Sequence, residues 1–217
     1  MPVSHFAHPS VVVIGCLLLV GCAPPTKFAK QIGQVASGKS RQIVVDDELV
    51  TDADLARLSV LSELRELTLL ETRVSDAGLA HLQRLVGLEK LVLGDTTVTD
   101  GGLKSLLDLK QLKILNFESA DVTTAGFSEL ATLERLELLR FGQSEIGDDA
   151  LVHVDRWPKL RSLIVQHAPI SDAGLAHLKD QDLGGLESLY LEGTEVSEAG
   201  LADLQEALPK LHIHPHP

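Results

Sequence analysis

The chain has 217 residues, a formal net charge of −12 at pH 7 and only 3% aromatic residues. A protein this acidic repels nucleic acid and anionic lipid headgroups, so we expect it to bind neither. So few aromatic rings also supply little surface on which bases or sugars could stack. The two cysteines, Cys16 and Cys22, both lie near the N-terminus, which leaves the rest of the chain without a thiol, a disulfide or a cysteine-based metal site.

Residues 1–21 are predicted to be a signal peptide. The stretch 11–20 is almost entirely apolar and is too short to cross a bilayer as a helix. It ends in Leu19-Val20-Gly21-Cys22, which resembles the cleavage site of bacterial lipoproteins. This resemblance implies a lipid on Cys22, export, and anchoring in the cell envelope. The residue after the Cys is Ala23 rather than Asp, which resembles lipoproteins that are sorted to an outer membrane and face the periplasm or the surface. The alternatives are an ordinary signal peptide and a chance apolar run.

Residues 22–39 contain Pro, Gly, Ser, Gln and Lys without a clear period, and we predict that they form a flexible tether after the lipidated Cys. Residues 33–40 match the phosphate-binding loop pattern G-x4-G-K-S letter for letter. That loop needs a strand before it and a helix directly after it, so that backbone amides and the helix dipole hold the phosphate. Because the segment after Ser40 is predicted to be a strand, we do not expect the chain to bind a nucleotide.

A pattern of 24 residues fills the chain from 40 to 213. The best copy, 64–87, begins with Leu-xx-Leu-x-Leu and continues with Thr-x-Val-Ser-Asp-Ala-Gly-Leu. Near-copies begin at Leu64, Leu88, Leu112, Leu136 and Leu160. An eroded first copy covers 40–63, and the copies over 160–185 and 186–210 are stretched by two residues and by one. A last strand is predicted over 211–213, and a tail over 214–217.

Each copy predicts one strand followed by one helix. Repeat positions 4 and 6 are apolar throughout, which indicates a short strand with one buried face. Ser or Thr at position 12 can cap a helix, and the Asp that follows suits the positive end of its dipole. Apolar residues then recur at three-residue spacing, as one buried helix stripe. A Gly recurs at position 15 and suggests close backbone packing there.

The pattern resembles the leucine-rich repeat family. It is most similar to the subtype with Thr-x-Val-Thr-Asp-Ala-Gly-Leu, as in residues 96–103. The resemblance implies an α/β solenoid: an arc of about seven repeats with a parallel, concave β-sheet and helices on the convex side. It also implies protein or peptide binding on the concave face, without catalysis and without a cofactor. The family often has Asn at position 9, where this chain has Thr, Ala or Ser, so we expect only a partial ladder of hydrogen bonds between turns.

Positions 3 and 5 of each strand are predicted to point away from the core. Apolar residues concentrate there in the middle strands, with an Arg and a Tyr nearby, a composition typical of binding patches. The partner-binding candidates are Val92, Ile114, Asn116, Leu138, Arg140, Ile164 and Tyr190. We therefore predict a non-catalytic binding module anchored in a bacterial envelope. The alternatives are a structural envelope lipoprotein without a dedicated ligand and, more remotely, an accessory subunit of an enzyme.

Two polar patterns could be interpreted as metal sites. A ladder of acids recurs at position 13, which helix-start charges explain, although a calcium-binding row is the alternative: Asp76, Asp100, Asp148, Asp172 and Glu198. His212, His214 and His216 alternate and would share one face of a strand. A polar tail that discourages edge pairing explains these histidines as well as a metal site does. The sequence therefore predicts no metal site.

Overall fold

The structure, a computed structural model, describes residues 25–117, 119–179, 181–183 and 185–215. The strands, in chain order, are β1 Gln42–Val45, β2 Val50–Thr51, β3 Glu66–Leu69, β4 Thr72–Arg73, β5 Lys90–Leu93, β6 Ile114–Phe117, β7 Leu138–Gly142, β8 Ser162–Gln166, β9 Ser188–Tyr190 and β10 His212–His214. The α-helices are α1 Lys27–Ala36, α2 Asp52–Leu55, α3 Asp76–Ala80, α4 Asp100–Leu103, α5 Thr124–Glu129, α6 Asp172–Lys179 and α7 Glu198–Ala207. Short 3-10 helices cover Ala56–Leu58, Lys104–Leu106 and Leu130–Thr132, and a longer one covers Asp148–Arg156.

Each repeat adds one strand to a parallel sheet of eight, in the order β1-β3-β5-β6-β7-β8-β9-β10. The strands pair without any shift in register, so equivalent repeat positions lie side by side across the sheet. The small strands β2 and β4 pair separately. This is the α/β solenoid that the repeat predicted. The predicted last strand is confirmed as β10, which pairs with β9.

The core lies between the sheet and the helical segments. The residues at positions 4 and 6 are fully buried, as the alternation predicted. Aromatic rings fill the middle repeats: Phe117 stacks on Phe141 with centroids 5.5 Å apart, and Phe127 meets Phe141 and Trp157 edge-on at 5.9 and 5.2 Å. The Trp157 indole N–H donates to the carbonyl of Leu130 at 3.0 Å, so this buried polar group is satisfied.

The prediction of a flexible tether over 22–39 is wrong for residues 27–36, which form the helix α1. Phe28 and Val35 are buried, and Ile32 packs between them against the first repeat. The Gln31 side chain donates to the Val44 carbonyl and accepts from the Val44 N–H, both at 2.7 Å, as a neighbouring strand would. The helix therefore covers the open edge of β1. Apolar residues at helical spacing produce it, within a composition that otherwise resembles a linker.

A ladder of carboxylates joins each repeat to the next. Asp76, at the start of α3, accepts hydrogen bonds from the Thr99 N–H at 2.8 Å and from the Thr99 hydroxyl at 2.7 Å. A Cβ on Gly102 would lie 2.3 Å from Asp76 Oδ1, so the recurrent Gly makes room for the carboxylate of the preceding repeat. The same bonds link Asp52 to Ser75, Asp100 to Thr123, Asp148 to Ser171 and Asp172 to Ser197. The acids do lie at helix starts, as predicted, but their bonds across repeats were not anticipated.

The ladder is interrupted at one interface, where three residues depart together. Thr124 replaces the Asp, Gly147 replaces the capping Ser or Thr, and Ala150 replaces the Gly. The Gly147 N–H now donates to the Thr124 hydroxyl at 3.0 Å. Where Thr124 replaces the Asp, a methyl group is present at Ala150 in place of the Gly. This indicates that the other repeats need Gly because they have the Asp carboxylate.

The ladder at position 9 is partial, as predicted. The Thr72 and Thr96 hydroxyls donate to carbonyls of the following repeat, Gly94 and Ser119, each at 2.5 Å. The copies with Ala at this position have no side-chain donor.

Candidate partner-binding face

The seven candidate residues lie together on the outward layer of the sheet. Five of them are consecutive Cα partners across β5 to β9, which makes one unbroken row: Val92, Asn116, Arg140, Ile164 and Tyr190. Ile114 and Leu138 pair in the parallel row beside it. Neighbouring strands are about 4.8 Å apart, so the two rows form a continuous patch, which we call the concave patch.

The side chains of the concave patch are partly accessible. Six of its residues are half-buried, and Val92 is 8% exposed, so Val92 contributes the least accessible surface. The inward residue next to each is fully buried, as Leu139 and Leu163 show. Directly below the patch, Phe117 and Phe141 stack within the core. A close-packed layer of rings supports the strands, so the patch is a rigid surface.

Polar groups border the patch on the side where the strands end. Arg140 Nη2 donates to Gln166 Oε1 at 3.2 Å, and Gln166 Nε2 donates to Glu192 Oε2 at 2.8 Å. The Tyr190 ring stacks on His214 with centroids 4.2 Å apart. Sequence reasoning missed Gln166 and Glu192. The period of two places position 7 on the outward side, one step beyond positions 3 and 5, and could have found them.

The edge of the arc at which the strands end is strongly acidic. We call it the acidic edge, and it comprises the residues between each strand and the helical segment that follows. Within the described residues it has one guanidinium, Arg73, and these carboxylates: Asp46, Asp47, Glu48, Glu71, Asp95, Asp121, Glu145, Glu192 and Glu195. Lys27 of α1 bonds to Asp46 and Asp47, and its ammonium holds the pKa of Asp46 below the ordinary value.

The opposite edge, where the strands begin, has both signs of charge. We call it the mixed edge. It comprises the residues between each helical segment and the strand that follows, and its described charged residues are Lys39, Arg41, Arg65, Arg84, Lys110, Lys113, Arg135, Lys159, Arg161 and Lys210, with Glu63, Glu89, Asp108, Glu134, Glu137, Asp182 and Glu187. Ion pairs join neighbours here, such as Lys113 to Glu89 at 2.6 Å and Arg161 to Glu187 at 3.3 Å. The Lys113 ammonium lowers the pKa of Glu89, and Glu89 in turn raises the pKa of Lys113.

The described part of the chain contains neither a cluster of metal ligands nor a membrane-spanning helix. Across 25–117, 119–179, 181–183 and 185–215, no three His, Cys, Asp or Glu side chains converge as metal ligands would. His216 lies outside these residues, as do Cys22 and the predicted signal peptide. Within the same ranges, every helix is too short or too polar to span a bilayer.

Two solved structures that superpose on this fold are internalins. An internalin C2 (inlC2) of Listeria monocytogenes superposes with a TM-score of 0.58 and 22% identity, covering 83% of this chain and 90% of that chain. The fold is that of a leucine-rich repeat protein. An internalin (inlF) of the same organism superposes with a TM-score of 0.54 and 18% identity over 73% of this chain. The alignment spans 49% of inlF, so this chain corresponds to about half of its length.

Neither a family model nor a curated protein matches the sequence. At these identities the two internalins establish the fold alone. Repeat solenoids of this type commonly use their extended concave surfaces to bind proteins. Function must therefore be argued from the residues on the concave side of this chain.

Proposed function

We propose that this chain is a non-catalytic module that binds a protein or peptide on the concave patch and is anchored in a bacterial cell envelope through a lipid on Cys22. The observation that supports binding most strongly is the continuity of the patch. Outward positions of a sheet are often polar, yet here Ile114 pairs with Leu138. In the next row, Ile164 lies between Arg140 and Tyr190. Large apolar and aromatic side chains with an Arg are the residues that dominate binding energy at interfaces.

Rigidity supports the same proposal. The patch lies on paired strands over stacked Phe117 and Phe141, so a partner would not have to order the surface on binding. Arg140 is oriented by Gln166, which fixes one polar group at the border of the apolar pair. A preformed surface with a fixed polar border favours specific binding.

The period of two gives a direct test of binding and register together. Leu138→Asp places a charge on the outward face and should abolish partner capture with little change in melting temperature. Leu139→Asp buries an unpaired charge and should unfold the repeat. Val60→Asp is the matched control, since Val60 is 81% exposed and lies outside the sheet. The assay is affinity capture from envelope extract with the detergent-solubilised protein, quantified by mass spectrometry beside thermal unfolding. Equal capture by Leu138→Asp and the wild type would remove the patch from the proposal.

The anchor is tested separately. If Leu19-Val20-Gly21-Cys22 directs lipidation, the mature chain begins at Cys22 and partitions into detergent, and its intact mass includes acyl groups. Cys22→Ser should yield a chain without acyl mass that no longer partitions. A wild-type chain without added acyl mass would refute the anchor while leaving partner binding unaffected.

A further inference from the structure

We infer that the segment bound on the concave patch is basic as well as apolar: it places Lys or Arg side chains against the acidic edge while an apolar side chain contacts Ile114 and Leu138. This inference rests on the proposed function and specifies the chemistry of its partner. The concave patch alone would accept any apolar segment. The negative charge of the acidic edge, on one side of the patch, favours a segment that is also basic.

The two edges of the sheet differ in how their carboxylates are paired. Both border the same sheet, yet on the mixed edge Glu63, Glu89 and Glu187 form ion pairs with a cation of the same or a neighbouring repeat. On the acidic edge, Asp46 and Asp47 are the carboxylates that form ion pairs among the described residues, both with Lys27, and Arg73 pairs with none. Within the described residues, the other carboxylates of this edge form no ion pair: Glu48, Glu71, Asp95, Asp121, Glu145, Glu192 and Glu195. Among the described residues, cations outnumber carboxylates on the mixed edge, whereas carboxylates outnumber cations on the acidic edge, so negative charge accumulates on that side of the patch.

The acidic edge is also held in place by the backbone. The N–H groups of Asp121, Glu145 and Glu195 donate to carbonyls of the preceding repeat at 2.8, 3.0 and 2.8 Å. The backbone positions of Asp121 and Glu145, in adjacent repeats, are therefore about 4.8 Å apart, and Glu195 lies two repeats further along, with Pro169 at the equivalent position between them. Like charges this close repel one another, and a row of cations placed against them relieves that repulsion. Acidic residues on a fixed backbone beside an apolar patch favour, by charge complementarity, a segment that carries both kinds of side chain.

The distance from the apolar pair to the acidic edge sets the spacing between the apolar and the basic residues of the bound segment. The apolar pair occupies repeat position 3, and the acidic edge begins at positions 7 and 8, where Asp95 lies. A strand rises about 3.3 Å per residue, so about 16 Å separates Leu138 from the level of Asp95. An extended segment covers that distance in about five residues. A bound segment that runs along the strands should therefore have its basic residues about five positions from its apolar anchor.

Two probes and two variants test this inference. The probes are synthetic peptides with a leucine pair, a spacer of about four serines, and a run of either lysines or glutamates. The first variant, Asp95→Asn/Asp121→Asn/Glu145→Gln, neutralises the acidic edge beside the patch. The second, Glu63→Gln/Glu134→Gln/Glu137→Gln, makes the same change in net charge on the mixed edge. Binding to the full-length protein in detergent is measured by fluorescence anisotropy at two salt concentrations.

The inference predicts that the lysine peptide binds and the glutamate peptide does not. We expect the acidic-edge variant to bind the lysine peptide roughly tenfold more weakly, because it loses three exposed ion pairs of modest strength with the peptide lysines. The mixed-edge variant should bind nearly as the wild type does, and added salt should weaken wild-type binding. Equal losses in the two variants would reduce the effect to net charge and overturn the inference, as would no loss in either or no binding of the lysine peptide. Partner capture that depends on Leu138 but not on the acidic edge would overturn it while sustaining the proposed function.

Discussion

The carboxylate ladder makes a sharp prediction about two adjacent glycines in α4. Gly102→Ala places a methyl group 2.3 Å from Asp76 Oδ1 and 3.1 Å from Asp76 Cα, so the carboxylate must leave its position. It then loses the hydrogen bonds from the Thr99 N–H and hydroxyl. Gly101→Ala is the matched control: its methyl group would be 3.0 Å from Asp76 Oδ2, a tight contact, but other repeats have Ala at this position beside an intact carboxylate.

The magnitude follows from those two bonds. A hydrogen bond to a charged group contributes about 1.5 kcal/mol at the low end of its range, which suits this half-buried site, so losing both removes about 3 kcal/mol. Replacing Gly by Ala within a helix recovers at most about 1 kcal/mol. Gly102→Ala should therefore lower the free energy of unfolding by about 2 kcal/mol. Gly101→Ala should leave it unchanged or raise it by a few tenths of a kcal/mol.

Urea denaturation measures both effects as shifts of the midpoint at constant slope. A double-mutant cycle then isolates the cause: in the background Asp76→Ala, which has no carboxylate to displace, Gly102→Ala should cause little further loss. The interface of Thr124 with Ala150 is a natural version of that double variant. If Gly102→Ala destabilises the protein equally with and without Asp76, the clash with the carboxylate is not the reason for the glycine.

Three further predictions concern the ends of the solenoid and its ladder. Phe28→Asp should detach α1 and lower the melting temperature, because Phe28 is only 1% exposed. Hydrogen exchange of the β1 backbone amides should then become faster, and unchanged exchange would contradict the capping role of α1. The pKa of Asp172 is held below its ordinary 3.8 by hydrogen bonds from the Ser197 hydroxyl and N–H, so its contribution to stability is complete at neutral pH and is lost as the pH falls below 3.8. Asp172→Asn should thus be less stable than the wild type at pH 7, and the difference should shrink in acid; a difference independent of pH would refute this. Lys39→Ala should leave stability and binding unchanged, because Lys39 is exposed in the turn before β1, and ATP binding lost in this variant would contradict it.

The sequence predicted the solenoid, the register and the outward layer because all three depend on local periodicity. A residue at position 3 or 5 cannot face the core when positions 4 and 6 do, so the neighbours of Leu138 across the sheet followed directly. The single helix α1 has no repeat to reveal it, and its apolar residues 28, 32 and 35 stand among Gly, Gln and Lys. Its docking depends on the Gln31 side chain matching an edge strand, which is a tertiary contact without a sequence period.

The role of the recurrent glycine was predicted in kind but not in mechanism. Periodicity showed that something approaches position 15 closely, and the structure identifies it as the carboxylate two positions earlier in the preceding repeat. The net charge of −12 showed an excess of acidic residues. Their collection on one edge of the sheet became evident only when the strands were placed side by side. Pairing of Arg140 with Gln166 likewise appears only when β7 and β8 are side by side.

The central claim, that a partner lies on the concave patch, is tested most directly by site-specific photo-crosslinking in the native envelope. A benzoylphenylalanine residue replaces Leu138 in one strain and Val60 in another, and the full-length chain is irradiated and analysed for added mass. We predict a discrete crosslinked species from position 138 and none from position 60, which is 81% exposed outside the sheet. The same species from both positions, or none from position 138 in a chain that folds, would contradict partner binding at the concave patch.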